Sequence, residues 1–122
     1  MKKAVVALIQ DGPLVLMGKR RDSGKWTSPG GGVDSKETPW DALVREVKEE
    51  TGYEVSSYKM VHVLMDSKAL VYLYEVRITG KTDLSKDPDQ EFSELRYVNP
   101  EKVDLQYPAE TNIVLRYLKS KA

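Results

Sequence analysis

Short apolar runs separated by turn residues dominate the first and middle parts of the chain. Residues 4–9 and 14–17 flank a turn signal at 10–13, so the pattern predicts a β-hairpin. Two longer runs, 58–65 and 69–78, are almost continuously apolar, which is typical of strands covered on both faces. We expect these two runs to form a central sheet.

The pattern changes to a helical one between the two groups of strands. Thr38 is a suitable N-cap, Pro39 suits the first helical position, and Asp41 lies three residues after the cap, where it completes a capping box. Gly52 stands where a helix commonly enters the left-handed conformation. The sequence therefore predicts a helix over residues 39–51.

The remaining segments complete an α/β pattern. We expect a brief strand and a glycine loop at 26–32, a polar loop at 79–89, a strand leading out of Glu91 and a helical turn at 99–100. A final helix from Pro108 carries an apolar stripe that should cover the second face of the sheet; its members are Ile113, Val114, Tyr117 and Leu118. The order predicts a single domain over 1–122, an α/β sandwich with a mixed central sheet.

Three acidic residues lie on one side of the predicted helix 39–51. Glu46, Glu49 and Glu50 are related by steps of three and four residues, and such like-charged pairs cost roughly 0.2 to 0.5 kcal/mol each in an isolated helix. A hard divalent cation such as Mg²⁺ prefers oxygen ligands and would offset that cost. The alternative is an ordinary solvated face, with Arg45 and Lys48 as ion-pair partners.

The flanks of these acids carry a longer motif. The chain matches the pattern G-x5-E-x7-R-E-U-x-E-E-x-G-U, where U is a bulky aliphatic residue, and so it resembles the Nudix box. The matching residues are Gly31, Glu37, Arg45, Glu46, Val47, Glu49, Glu50 and Gly52. Tyr53 departs from the pattern, being aromatic at a position that concerns packing at the helix exit.

The resemblance implies a Nudix-like α/β/α sandwich and a Mg²⁺-dependent pyrophosphohydrolase, with Mn²⁺ as an alternative metal. By this resemblance Glu46, Glu49 and Glu50 should ligate the metal, joined by the carbonyl of Gly31 and by an acid before the later strand. Glu91 is the first choice for that acid and Glu94 the second. Glu46 or Glu91 would position or deprotonate the water, while Glu37 and Arg45 hold the turn and helix in place.

Candidate substrate-binding residues are less strongly indicated, and each has an alternative role that is purely structural or solvent-exposed. The basic cluster around 19–25 is either a solvated loop or a phosphate site, and the resemblance nominates Arg20 or Arg21. Tyr72 and Tyr74 share a side of their strand and either stack a base or pack in the core. Asn112 either reads a base edge or is a surface residue. His62, the only histidine, is more often structural than catalytic.

Composition limits the partners. Equal numbers of acidic and basic residues give a formal charge of zero, which does not favour nucleic-acid binding, and there are no cysteines for disulfides or thiolate catalysis. The early turn at 11–13 argues against a signal peptide, and no run approaches the ~20 apolar residues of a membrane span. We expect a soluble, cytoplasmic protein without a membrane partner; small Nudix proteins are often dimers, which leaves a homodimer open.

The resulting functional hypothesis is a hydrolase that cleaves a nucleoside diphosphate linked to X. A (deoxy)nucleoside triphosphate, cleaved to the monophosphate and pyrophosphate, is preferred. The reason is that the chain is minimal and lacks the extra sequence signatures that mark some NADH- or coenzyme-A-directed relatives. Alternatives are ADP-ribose, a dinucleoside polyphosphate, the 5′ end of an RNA, or a noncatalytic nucleotide sensor on the same fold.

Overall fold

The computed structural model describes residues 2–65, 68–84 and 90–121, and these form eight strands and two helices. The elements in chain order are β1 (Lys2–Leu8), β2 (Gln10–Asp11), β3 (Leu14–Arg20), β4 (Trp26–Thr27), β5 (Gly30–Gly32), α1 (Pro39–Thr51), β6 (Glu54–Met65), β7 (Ala69–Thr79), β8 (Phe92–Val98) and α2 (Pro108–Lys121). The predicted helix 39–51 and the final helix from Pro108 are therefore confirmed.

The larger sheet is mixed, as the sequence predicts. Its strand order is β5-β1-β7-β6; β1 runs parallel to β7 and antiparallel to β5, and β6 pairs antiparallel with β7. The glycines at 30–32 were expected in a loop, but they form β5, at one edge of this sheet. The opposite edge is β6.

The second sheet corrects the predicted hairpin. Residues 14–17 belong to β3, which pairs with β2, β4 and β8, whereas residues 4–8 belong to β1 in the other sheet. The turn at 10–13 exists, but it joins β3 to the two-residue β2. The first run pairs elsewhere because both its faces are buried: Val5 and Ala7 pack below α1, and Leu8 packs on the α2 side.

The two helices cover two hydrophobic clusters. Leu43 and Val47 of α1 pack with β1 and β7, as the helical pattern predicts. Val114 of α2 packs with β1, β3 and β7, and the rest of its stripe lies against the same cluster. The α/β sandwich with a mixed sheet is therefore confirmed. Within the described residues, neither helix is long and apolar enough to cross a membrane.

Strand β6 and the loop after β7 differ from what the sequence predicts. The expectation that 58–65 is covered on both faces is wrong, because β6 is an edge strand whose side chains are mostly exposed.

Of the predicted loop 79–89, Thr79 ends β7 and 80–84 pack at the end of α1, while 85–89 lie outside the described residues. The turn residues 66–67 also lie outside them, and 99–102 form a turn.

Candidate active site

The start of α1 is fixed by the predicted cap. The Thr38 hydroxyl accepts a hydrogen bond from the backbone N–H of Asp41, and the Asp41 carboxylate accepts one from the backbone N–H of Thr38. This capping box satisfies two N–H groups that a helix start would otherwise leave unpaired. It fixes where the helix begins, and so which side its acids face.

Arg45 connects α1 to the turn that follows β5. Its guanidinium donates to both oxygens of Glu37 at 2.8 Å, to the carbonyl of Gly32 at 3.0 Å, and to Glu46 at 2.7 Å. A longer contact of 3.4 Å reaches Glu49. The bidentate pair with Arg45 lowers the pKa of Glu37 to about 2, and it raises the pKa of Arg45. These contacts link α1 to the turn after β5, and the role that the resemblance implies for Glu37 and Arg45 stays a prediction.

Glu50 is the most deeply buried of the described acids, at only 3% exposed. The backbone N–H of Gly30 donates to its carboxylate at 2.7 Å, and Glu91 is its other hydrogen-bond partner. Burial raises the pKa of Glu50 to about 10, with the neighbouring Glu91 and Glu46 adding to the effect. Two carboxyl groups, forty-one positions apart in sequence, therefore meet beside a glycine strand.

Glu46 lies at the same strand. A Cβ atom added to Gly31 would stand 2.7 Å from the Glu46 carboxyl carbon, so the glycine leaves room for that carboxylate against the backbone. Burial raises the pKa of Glu46, while the ion pair with Arg45 opposes the rise. The charges of Glu49 and Glu91 also raise the pKa of Glu46. Glu46 and Glu50 thus converge on the backbone of β5.

A cleft of about 310 Å³ opens over this group. Its polar lining includes Arg20, Thr27, Ser28, Gly30, Gly31, Glu50, Glu91 and Tyr107. Arg20 is held by a bidentate pair with Asp22, at 3.0 and 2.8 Å, which raises the pKa of Arg20 and lowers that of Asp22 to about 2. One cation and two acids therefore face the same space.

Not all candidate residues reach this cleft. Arg21 is exposed and lines an adjoining groove with Arg20 and Glu91. Glu49 is half-buried and contacts Arg45, on the side of α1 nearer to residues 80–83. Glu94 pairs with Arg96 at 2.9 Å and does not line the cleft, so Glu91 is the better placed of the two acids.

The aromatic and amide candidates lie apart from the acids. Tyr74 is 3% exposed and packs in the core, and Tyr72 is partly buried against the same cluster. Asn112 is exposed on α2, and His62 is exposed on β6. The structure does not bring any of these four side chains into the lining of the acidic cleft.

Sequence reasoning missed Ser28 and Tyr107, which line the cleft, and Asp22, which lines the adjoining groove. Asp22 orients Arg20, and the Asp-after-Arg spacing in the turn was the available signal. Ser28 lies within the segment that precedes the glycines, and Tyr107, 47% exposed, directly precedes the Pro108 that starts α2. An exposed aromatic ring beside a helix start is a signal only when the fold is known, because nothing local places it near the acids.

The donors at this site suit a hard divalent cation. Within the described residues, no three acidic or histidine side chains are already arranged to hold a metal ion. Nevertheless Glu46, Glu50 and Glu91 supply only oxygen ligands, the chemistry that Mg²⁺ prefers. Glu50 is 3% exposed and lies beside Glu46 and Glu91, so a cation held there would offset the crowding of negative charge. The residues fit a divalent metal.

Comparison with solved structures identifies the class of fold. The NUDIX hydrolase from Nitrosomonas europaea superposes with a TM-score of 0.83 at 17% identity, over 98% of this chain and 90% of that one. At that identity the likeness concerns the fold alone. The arrangement of sheets and helices is therefore that of the Nudix fold.

Sequence comparison defines the family. The family model described as NUDIX domain matches residues 1–118, and the chain belongs to the Nudix family. Nudix hydrolases are pyrophosphohydrolases that act on phosphoanhydride bonds, and they generally use divalent metal cations.

Individual relatives carry several substrate names. A putative 8-oxo-dGTP diphosphatase of Bacillus subtilis is 32% identical over 84% of this chain and 68% of its own length. Putative nudix hydrolase 1 of Caenorhabditis elegans is 39% identical over 64% of this chain, but the match spans only 21% of that protein. Other relatives are named RNA pyrophosphohydrolase and diphosphoinositol polyphosphate phosphohydrolase 2.

Proposed function

We propose that this chain is a divalent-metal-dependent hydrolase that cleaves the phosphoanhydride of a nucleoside diphosphate linked to X, with a (deoxy)nucleoside triphosphate as the preferred substrate. The observation that carries the proposal is Glu50, a carboxyl group 3% exposed and hydrogen-bonded to Glu91 in a cleft with Arg20. A buried carboxyl group beside two further acids is costly to ionise, because charge in a low-dielectric site needs a partner, and a divalent cation would supply one. The relative named as an 8-oxo-dGTP diphosphatase supports the triphosphate.

The residues around the cleft have separate tasks in this proposal. Glu46, Glu49, Glu50 and Glu91 would hold Mg²⁺ or Mn²⁺ together with the carbonyl of Gly31. A cation held there would neutralise the phosphate charge and stabilise the leaving phosphate. Since Glu49 now contacts Arg45 at 3.4 Å, its carboxylate would exchange that contact for the metal.

The chain itself binds the anion and moves the proton. Arg20 offers its guanidinium to a substrate phosphate, in the orientation fixed by Asp22. Glu46 or Glu91 accepts a proton from the attacking water; Glu91 lines the cleft, and the Glu46 carboxylate lies against Gly31, which also lines it. Arg45 and Glu37 keep α1 and the preceding turn at a fixed separation.

Substitution of two acids tests the catalytic assignment. Glu49→Gln and Glu50→Gln should each lower kcat at least about 100-fold with Mg²⁺, because they remove a metal ligand without removing volume. Circular dichroism should show an unchanged fold. Glu101→Gln, an exposed acid paired with Lys119 at 3.6 Å, is the matched control and should retain full turnover. Near-wild-type phosphate release by both variants would remove the metal assignment.

A substrate panel tests the finer assignment. Purified protein with Mg²⁺ is incubated with canonical and 8-oxo nucleoside triphosphates, ADP-ribose, a dinucleoside polyphosphate and 5′-triphosphorylated RNA. We expect release of pyrophosphate and a nucleoside monophosphate. The identity of these products reports which bond is cleaved. Preference for another compound of the panel reassigns X within the family, whereas binding without turnover of any of them would indicate a nucleotide sensor.

A further inference from the structure

The free edge of the larger sheet carries an exposed apolar surface. β6 pairs only with β7 in the described part of the chain. Four of its side chains are unusually exposed for their type: Tyr58 at 46%, Met60 at 51%, Val63 at 40% and Met65 at 67%. We call these four residues the β6 surface. An apolar strand with an unpaired backbone edge is a natural site for pairing with another strand.

All four side chains point to one face because the strand is irregular. Tyr58, Met60, Val63 and Met65 pair across to Val76, Tyr74, Tyr72 and Leu70. The first three of these partners pack in the cluster under α1, and Leu70 shares their face by strand alternation. Met60 and Val63 are three residues apart, so in a regular strand they would point to opposite faces. A register shift between Met60 and His62 corrects for this, since Val61 turns to the α2 side.

Because of this irregularity, the sides of the sheet to which successive side chains point are symmetric about one point in the strand. Reading outward from the point between Val61 and His62, the faces alternate in the same order in both directions. If two copies of β6 pair antiparallel about that point, Met60 lies opposite Val63 of the second copy, and Tyr58 lies opposite Met65. A regular strand cannot do this, because an odd register pairs residues that face opposite sides. Each exposed apolar side chain thus meets another.

Charge and area agree with a second copy as the occupant. Within 58–65 the only formally charged side chain is Lys59, which in this register faces Leu64 of the second copy, so no like charges meet. The exposed fractions correspond to about 400 Å² of apolar surface per copy. With the strand backbone, two copies would bury on the order of 1,000 Å², the lower limit for a specific interface.

We propose that the chain forms a two-fold dimer in which β6 pairs antiparallel with β6 of a second copy, centred between Val61 and His62. The interface joins the two larger sheets into one continuous sheet. It lies at the edge opposite to β5, so each copy keeps its own acidic cleft. This dimer does not depend on the proposed activity.

Sedimentation velocity over micromolar to millimolar concentrations tests the dimer. The wild-type chain should convert from monomer to dimer, and Met60→Glu should remain monomeric because it places two charges inside the pairing. Arg116→Glu, on the exposed side of α2, is the control and should dimerise as the wild type does. Unfolding of Met60→Glu at low concentration should match the wild-type monomer. A monomeric wild type, growth beyond two copies, or a dimer that Met60→Glu leaves intact would overturn the proposal.

Cysteine crosslinking tests the register, since the chain has no cysteine of its own. A mixture of the Met60→Cys and Val63→Cys variants should form disulfide-linked dimers under mild oxidation, because these positions lie opposite each other. Either variant alone should crosslink at least tenfold more slowly, because in this register the same position in the two copies is offset by three residues. Equal crosslinking by one variant alone would overturn the register.

Discussion

The environment of Glu50 is set mainly by residues that are distant in sequence. The backbone of Gly30 donates to it at 2.7 Å, Glu91 shares its other side, and Glu46 adds a repelling charge. Burial is the largest cause of its raised pKa, because the charged form loses its hydration. A metal would reverse this preference by binding the ionised carboxylate.

The raised pKa predicts how the metal-free protein responds to pH. In the folded chain the pKa of Glu50 is about 10 against an ordinary value of 4.5, so between these values the folded state holds a proton that the unfolded state releases. The free energy of unfolding in EDTA should therefore be highest at low pH within this window and fall as pH rises, by at most about 1.4 kcal/mol per pH unit. Glu37 acts in the opposite sense, but only below its ordinary value.

Urea unfolding in EDTA at several pH values measures this slope. Glu50→Gln should flatten it, because the amide does not titrate, and Glu54→Gln, an exposed acid paired with Lys48, should leave it unchanged. A Glu50→Gln slope equal to that of the wild type would contradict the assignment of the titration to Glu50.

Asp22 is predicted to act on substrate binding through Arg20. Its carboxylate accepts two hydrogen bonds from the guanidinium, and an amide can replace only one of them at comparable strength. In Asp22→Asn we expect KM for the best nucleotide of the panel to rise about 3- to 10-fold with kcat nearly unchanged, the signature of lost uniform binding. Asp11→Asn, an exposed aspartate in β2, is the control. A lower KM in Asp22→Asn would show that Asp22 competes with the substrate for Arg20.

At this site the sequence indicated which side chains to consider, but not their surroundings. The spacing from Gly31 to Gly52 nominated the acids of α1 as metal ligands, which stays a prediction, and the Glu37–Arg45 pair, which the structure shows hydrogen-bonded. The burial of Glu50 and its contact with Glu91 depend on how distant strands pair, and no local pattern reports that.

At the scale of elements, α1 is defined by its two ends. The capping box starts it, and Gly52 ends it in the left-handed conformation with φ 83°. Gly52 also has a second function, because a Cβ atom there would collide with the backbone N of Asp83. The segment 80–84 docks at this point, with Asp83 N–H and the Thr82 hydroxyl both donating to the Thr51 carbonyl.

Gly52→Ala is therefore expected to cost more than its backbone conformation alone. A left-handed non-glycine residue costs roughly 1 to 2 kcal/mol, and displacement of Asp83 should bring the loss in unfolding free energy to about 3 kcal/mol. Gly12→Ala is the matched control, since Gly12 has φ 57° with nothing within 4 Å of an added Cβ. Urea unfolding of the two variants isolates the docking contribution; equal losses would show that the contact with Asp83 contributes nothing.

Elements with local signals were predicted, whereas pairing was not. Thr38, Pro39 and Gly52 mark the limits of α1 within the sequence itself. The turn at 10–13 was equally visible, but it does not say which strand residues 4–9 will join. Strand partners are chosen by burial of both faces of β1, a property of the whole sheet.

At the scale of the molecule, the fold brings three separate segments to one cleft. The end of β3 supplies Arg20, β5 and α1 supply the glycines and Glu50, and the residues before β8 supply Glu91. Alternating strands and helices were sufficient to predict the α/β sandwich. The second antiparallel sheet was not predicted, because its short strands β2 and β4 carry almost no periodic signal.

The central claim is that the acids of α1 and Glu91 hold a divalent cation. Titration with Mn²⁺, followed through the electron paramagnetic resonance signal of the free ion, measures this binding without any substrate. We predict that the wild-type chain binds at least one Mn²⁺, that Glu50→Gln binds it at least about tenfold more weakly, and that Glu101→Gln binds as the wild type does. Mn²⁺ binding by Glu50→Gln equal to that of the wild type, or none by either protein, would contradict the account.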